Sequence, residues 1–137
     1  MTWTGPNFKP PRGSGRLDRR ARKAQDEAEL RAAYEEVDRR DGGFCRVTGR
    51  YTQPGAVAAE SRREHHHLKG RRVRPEWVTD PKRIITVSRE VHEYLTGHLI
   101  EVEGDDATKP LFFHWNEKLM RGRVKPFRLQ GKRTAVA

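Results

Sequence analysis

A single cysteine, Cys45, occurs among the 137 residues. One thiol can build neither an intramolecular disulfide nor a Cys-x-x-Cys zinc ribbon. Hydrophobic residues are scarce as well, at 34% against roughly 45–50% in an average globular chain. A large buried core is therefore excluded, and the length suits one domain. No uncharged run approaches the about 20 residues that a membrane-spanning helix needs. No apolar stretch follows the N-terminal Met, so the expectation is a soluble, cytoplasmic protein with no membrane partner.

Positive charge is in surplus. The 29 Lys and Arg against 19 Asp and Glu give +10, and the excess sits at the ends. Lys9, Arg12, Arg16, Arg19, Arg20, Arg22 and Lys23 face one acid, Asp18, within residues 1–25. Lys118, Arg121, Arg123, Lys125, Arg128, Lys132 and Arg133 face none within 118–137. In a third patch, 62–74, Arg62, Arg63, Lys69, Arg71, Arg72 and Arg74 stand against Glu64. Such segments attract phosphate backbones by counterion release, or are simply solvated.

Local pattern divides the chain into a disordered basic arm (1–16), a body (17–117) and a basic C-terminal tail (118–137). The Pro- and Gly-rich start has no periodicity. Residues 17–40, rich in Ala, Arg and Glu, predict a helix stopped by Asp41-Gly42-Gly43. Its stripe of Leu30, Ala33, Tyr34 and Val37 is its docking face. Residues 44–47 suggest a short strand, and 56–59 a helical turn. Residues 63–68 predict a strand, Pro75 opens a short helix, and the β-branched run 84–87 predicts a second strand. Ser88 as N-cap, Glu90 in the first turn and Gly97 as stop delimit a helix over 89–96. Residues 99–102 and 111–115 flank Gly104-Asp105-Asp106 as a hairpin. The fold class is α+β.

Four of the six histidines, His65, His66, His67 and His92, fall inside this strand–loop–strand–helix unit. The stretch "EHHHLKGRRVRPEW…DPKRIITVSREVHEYL" resembles the HNH (ββα-metal) endonuclease family, over residues 40–97. The run-in "RRDGGFCRVTG" resembles the segment that carries the family's first zinc-knuckle cysteines; Cys45 keeps one, while Thr48, Ser88 and Val91 stand at the other three. The resemblance therefore implies a knuckle-less variant stapled by packing.

By that resemblance His66 and His92 ligate one divalent metal ion (Mg²⁺ or Mn²⁺, with Ni²⁺ and Zn²⁺ also suited to imidazole). His67 is the general base. Lys69, Arg71, Arg72 and Arg74 would hold flanking phosphates of DNA, expected double-stranded. The motif's Asn falls on Arg83, which has no acceptor and cannot ligate a cation. Arg83 would clamp the scissile phosphate as a catalytic group, or it marks a decayed site. The expected function is metal-dependent hydrolysis of DNA phosphodiester bonds. The alternative is a catalytically silent nucleic-acid-binding or structural protein.

One conflict is visible beforehand. Adjacent residues of a strand point to opposite faces, so His66 and His67 share a site only if the strand ends or bulges there. Otherwise His65 and His67, two apart, form the pair. Glu64 is either an orienting acid or an exposed one. His98 is expected at the surface, His114 to pack or bond locally, and Trp77, Phe112 and Trp115 in the core.

Overall fold

A computed structural model describes residues 15–69 and 74–131. It is a mixed helix-and-sheet fold with two small antiparallel sheets. In chain order the elements are α1 (Gly15–Asp41), β1 (Arg63–His67), β2 (Ile84–Ser88), α2 (Arg89–Thr96), β3 (Ile100–Glu103), β4 (Phe112–Trp115) and α3 (Glu117–Met120). Single 3₁₀ turns at Pro75–Trp77 and Pro81–Arg83 punctuate the β1–β2 connection. No helix among the described residues is long and apolar enough to cross a membrane. The arm expected over residues 1–16 lies outside the described residues but for Gly15 and Arg16, which open α1.

The hairpin β1–β2 is the spine. Its register pairs Arg63 with Ser88, His65 with Thr86, and His67 with Ile84, one for one and without a bulge. Strand β2 is buried along its whole length, which is why its sequence is β-branched rather than alternating. On one face Ile84 packs against Ala33 and Val37 of α1, with Tyr34 alongside. On the other, Ile85 and Val87 join Val91 and Leu95 of α2 and Phe113 and Trp115 of β4 in the main core.

The end of α1 is locked rather than merely stopped. Gly42 and Gly43 take positive φ (64° and 82°), and a Cβ on Gly43 would collide with the Arg63 guanidinium. The Asp41 side chain, 1% exposed, accepts from Arg40 Nε at 2.9 Å, Arg46 Nη1 at 3.3 Å and the Thr86 amide at 3.0 Å. Burial alone would raise its carboxyl pKa; the Arg40 hydrogen bond, the Thr86 amide and the two guanidinium charges outweigh that and lower it. Arg40 also donates to the carbonyls of Pro81 and Ile84. One ion pair thus fastens the helix end to both ends of the second 3₁₀ turn.

Three local expectations are corrected. Residues 44–47 make no strand: Cys45 N–H bonds Arg50 O and Gly49 N–H bonds Cys45 O, closing a turn that leaves one bridge, Phe44 to Tyr51. Residues 56–59 form no helix: bends at 57 and 58 lead into a turn in which Ser61 and Arg62 N–H bond Ala58 O. Part of the C-terminal basic segment is folded onto the body. Asn116 caps α3, Met120 is buried, and Phe127 packs on Tyr94 and Trp115 with ring centres 5.4 and 5.2 Å apart. The apolar Met120, Phe127 and Leu129 outweighed the charge around them.

Candidate active site

Strand parity divides the histidines. His65 shares a hairpin face with α1. Its ring stacks on Tyr34 at 4.1 Å, nearly parallel, and its Nε2 lies 2.7 Å from Asp38 Oδ1. His66 and Glu64 lie on the opposite face, toward α2. There the His66 and His92 rings approach edge to face, with centres 5.3 Å apart. Glu64 Oε1 accepts from His92 Nδ1 at 2.8 Å. Glu64 therefore orients His92 rather than His66, and its second oxygen meets Arg89 at 3.2 Å.

The electrostatics suit a ligand pair. Burial, followed by the neighbouring His92, His67 and His98, pushes His66 down to about 4, so its imidazole is neutral at pH 7 with a lone pair to offer. The bond to Glu64 places the His92 proton on Nδ1, which makes Nε2 its ligating nitrogen. Burial would raise the Glu64 carboxyl, but the hydrogen bond and charge of His92, with Arg89, hold it below its ordinary value.

His67, the last residue of β1, has the parity of His65. It meets Tyr34 edge-on, with ring centres 6.3 Å apart, and its Nε2 donates to the Val78 carbonyl at 2.9 Å. That bond puts the ring proton on Nε2 and the lone pair on Nδ1. The strand ends here, so all three β1 histidines reach the rim of one cleft of about 920 Å³. Lys69, His92 and Leu95 line it too, and His98, Glu101 and His114 form its far wall. His98 is held with φ at 60°. His114, expected to bond locally, meets its cross-strand partner Glu101 at 2.8 Å.

The remaining assignments separate. Arg83 is not brought to this cleft. Its guanidinium lies 4.1 Å over the Trp77 ring and donates to Asp105 O at 2.6 Å, and its Nε is buried 3.9 Å from Asp80 Oδ2. Arg74 is exposed, with its guanidinium 5.3 Å from the Trp77 ring. Trp77, expected in the core, is instead half-buried between cations. Arg71 and Arg72 lie outside the described residues. Of the four knuckle positions, Cys45 and Val91 are buried in one apolar cluster with Val47 and Val87. Ser88 is spent on capping α2, accepting from Val91 N–H.

Among the described residues no three His, Cys, Asp or Glu side chains form a group able to hold a metal ion. The donor set is thus two histidines. Neutral His66 and Glu64-oriented His92 fit a divalent ion that takes its other ligands from water and phosphate. Sequence reasoning missed Val78 because it acts through its backbone carbonyl, and Asp105 because its carbonyl and carboxylate meet Arg83 from 22 residues away. The pairing of Glu64 with His92 was open to parity: Glu64 lies two before His66 and so faces α2. No family model, no curated protein and no solved structure matches this chain.

Proposed function

We propose that this chain is a metal-dependent endonuclease of the HNH type that hydrolyses phosphodiester bonds in duplex DNA. The approach of the His66 and His92 imidazoles across β1 and α2, with His67 one residue on, carries this reading. His66 and His92 would hold the ion, which when bound stabilises charge on the phosphate and on the leaving 3′-oxygen. His67 takes a proton from water at Nδ1, its Nε2 being committed to Val78 O. Lys69, at the cleft rim, and exposed Arg74 steady flanking phosphates, as Arg71 and Arg72 would from the sequence. Arg83 acts as a positioning residue: stacked on Trp77 and bonded to Asp105, it pins the loop between the strands. The buried Cys45–Val91 cluster supports a family reading in which packing replaces the zinc staple.

The test is nicking of supercoiled DNA with Mg²⁺, Mn²⁺, Ni²⁺ and Zn²⁺ in turn. His67→Ala should lower the rate by about 10²–10⁴-fold, the usual worth of a general base. Nicking that survives His67→Ala withdraws the mechanism. One observation favours a second reading, a silent nucleic-acid-binding protein: the cleft supplies two protein ligands and, among the described residues, no third. Absence of nicking with all four metals would select it.

A further inference from the structure

Helix α1 changes character along its length. From residue 30 to 41 it is docked, with Ala33 and Val37 buried; from 19 to 29 every side chain is exposed. The exposed half carries Arg19, Arg20, Arg22 and Lys23 within five positions. Pairs three and four apart among them are like-charged, which raises the energy of an isolated helix. No burial offsets this; Asp26 and Glu27, four residues on from Arg22 and Lys23, offset part of it, and an anionic partner would relieve the rest.

The helix runs antiparallel to β1. Asp38 meets Arg63 at 3.6 Å and His65 at 2.7 Å, and one turn earlier Tyr34 meets His65 and then His67. Moving toward the N-terminus of α1 therefore follows β1 to His67 and continues past it. On a 3.6-residue period Arg19 and Lys23 fall on the stripe of Leu30, Tyr34 and Val37, and Arg20 flanks it on the Tyr34 side. Asp26 and Glu27 come first on this stripe beyond the docked turns, and the face becomes cationic from Lys23 onward. From Tyr34 to Arg19 the helix extends about 22 Å, and phosphates recur along each strand of a duplex roughly every 3.4 Å.

We infer that the exposed half of α1 is an arm whose Arg19, Arg20 and Lys23 grip the phosphate backbone of duplex DNA alongside the cleft. The choice of DNA rests on the proposed function, whereas the test reads binding alone. In the full chain carrying His67→Ala, the triple change Arg19→Gln, Arg20→Gln and Lys23→Gln keeps good helix formers. Binding to a fluorescent duplex is followed by anisotropy between roughly 50 and 200 mM salt. The slope of log K against log salt should shrink by close to 2.7, about 0.9 for each phosphate that is no longer neutralised. Arg39→Gln with Arg50→Gln should leave it unchanged, and Arg19→Lys with Arg20→Lys should preserve it.

An unchanged slope overturns the arm even if the wild type nicks DNA well. An equal loss in the Arg39/Arg50 control, or no duplex binding by the wild type, also overturns it. So does a change of oligomeric state in place of a change of slope, which would assign the exposed half to a second copy of the chain. A reduced slope in a protein that never nicks keeps the arm and removes the nuclease reading.

Discussion

The two faces of the β1–β2 hairpin use the same residue type in opposite ways. On the α1 face His65 is consumed: Tyr34 covers its ring and Asp38 takes its nitrogen. Beside it Asp41 gathers Arg40, Arg46 and the Thr86 amide in a closed network. One residue along the strand, His66 points the other way, into an open cleft, beside the Glu64-oriented ring of His92. The α1 face is a dock where His65 and Asp41 are bonded by other elements, while Thr86 Oγ1 is buried there without a hydrogen-bond partner. The α2 face turns its imidazoles toward an open cleft. A histidine's role here is set by strand parity, and the strand end lets His67, with docking-face parity, reach the cleft rim through its Val78 bond.

The sharpest test of this division is on the dock. Asp41→Ala removes the acceptor of two partly buried guanidinium groups and of the Thr86 amide. Breaking a buried pair from one side costs about 3–5 kcal/mol. Urea denaturation should register that loss, while Mn²⁺ affinity of the protein that remains folded stays unchanged. A loss below roughly 1 kcal/mol would be the size of an exposed pair and would remove the distinction between the faces.

The cleft face should appear in the pH dependence of stability. His66 has its folded-state value at about 4, below the ordinary 6.5. Between these values the unfolded chain binds a proton that the folded chain refuses. Stability is therefore fully present above pH 6.5 and falls as the pH drops toward 4, by on the order of 3 kcal/mol. His66→Gln should flatten that acid limb, and His65→Gln should leave it in place. If His65→Gln flattens it instead, the parity assignment is reversed.

How much of this was legible beforehand follows from where the information sits. Helix α2 was readable to the residue because its cap, first-turn acid and stop are all local letters, Ser88, Glu90 and Gly97. Strand β2 was readable because a strand buried on both faces must be apolar or β-branched throughout. The partner of His67 was not, since every residue owns a carbonyl and no letter marks Val78 as special; that of Arg83 was not, since no local pattern ties Asp105 to a residue 22 positions earlier. Residues 44–47 looked like a strand by composition, but Gly43 and Gly49 at positive φ bend the chain into a turn that the ladder cannot match. The clash between adjacent His66 and His67 was visible in advance. Its resolution, a strand that stops at His67 without a bulge, required the register.

A smaller effect concerns Glu64. Glu64→Gln keeps an oxygen to accept from His92 Nδ1 but discards the charge that makes the ring a better donor. Loss of such an outer partner lowers metal affinity by about 10–100-fold. Calorimetry with Mn²⁺ or Zn²⁺ on the His67→Ala background measures it. Asp38→Asn, the matching change on the docking face, should leave affinity unchanged; equal losses would mean that both faces serve the ion.

The smallest expected effect sits on the far wall of the cleft. Helix α2 ends with Leu99 N–H bonded to Tyr94 O and His98 N–H bonded to Leu95 O. That pattern puts the residue after the cap into the left-handed region, where glycine is the usual choice. Here Gly97 occupies an ordinary right-handed position, and His98 takes φ at 60°. A side chain there costs roughly 1–2 kcal/mol, partly offset by the extra chain entropy a glycine would lose on folding. His98→Gly should therefore stabilise the protein by about 1 kcal/mol, a rise in Tm of about 3 °C. Backbone strain retained beside a cleft points to use of the side chain, so the same variant should nick DNA more slowly, on the order of tenfold. A higher Tm with undiminished nicking would place His98 with the scaffold and leave the working wall to β1 and α2 alone.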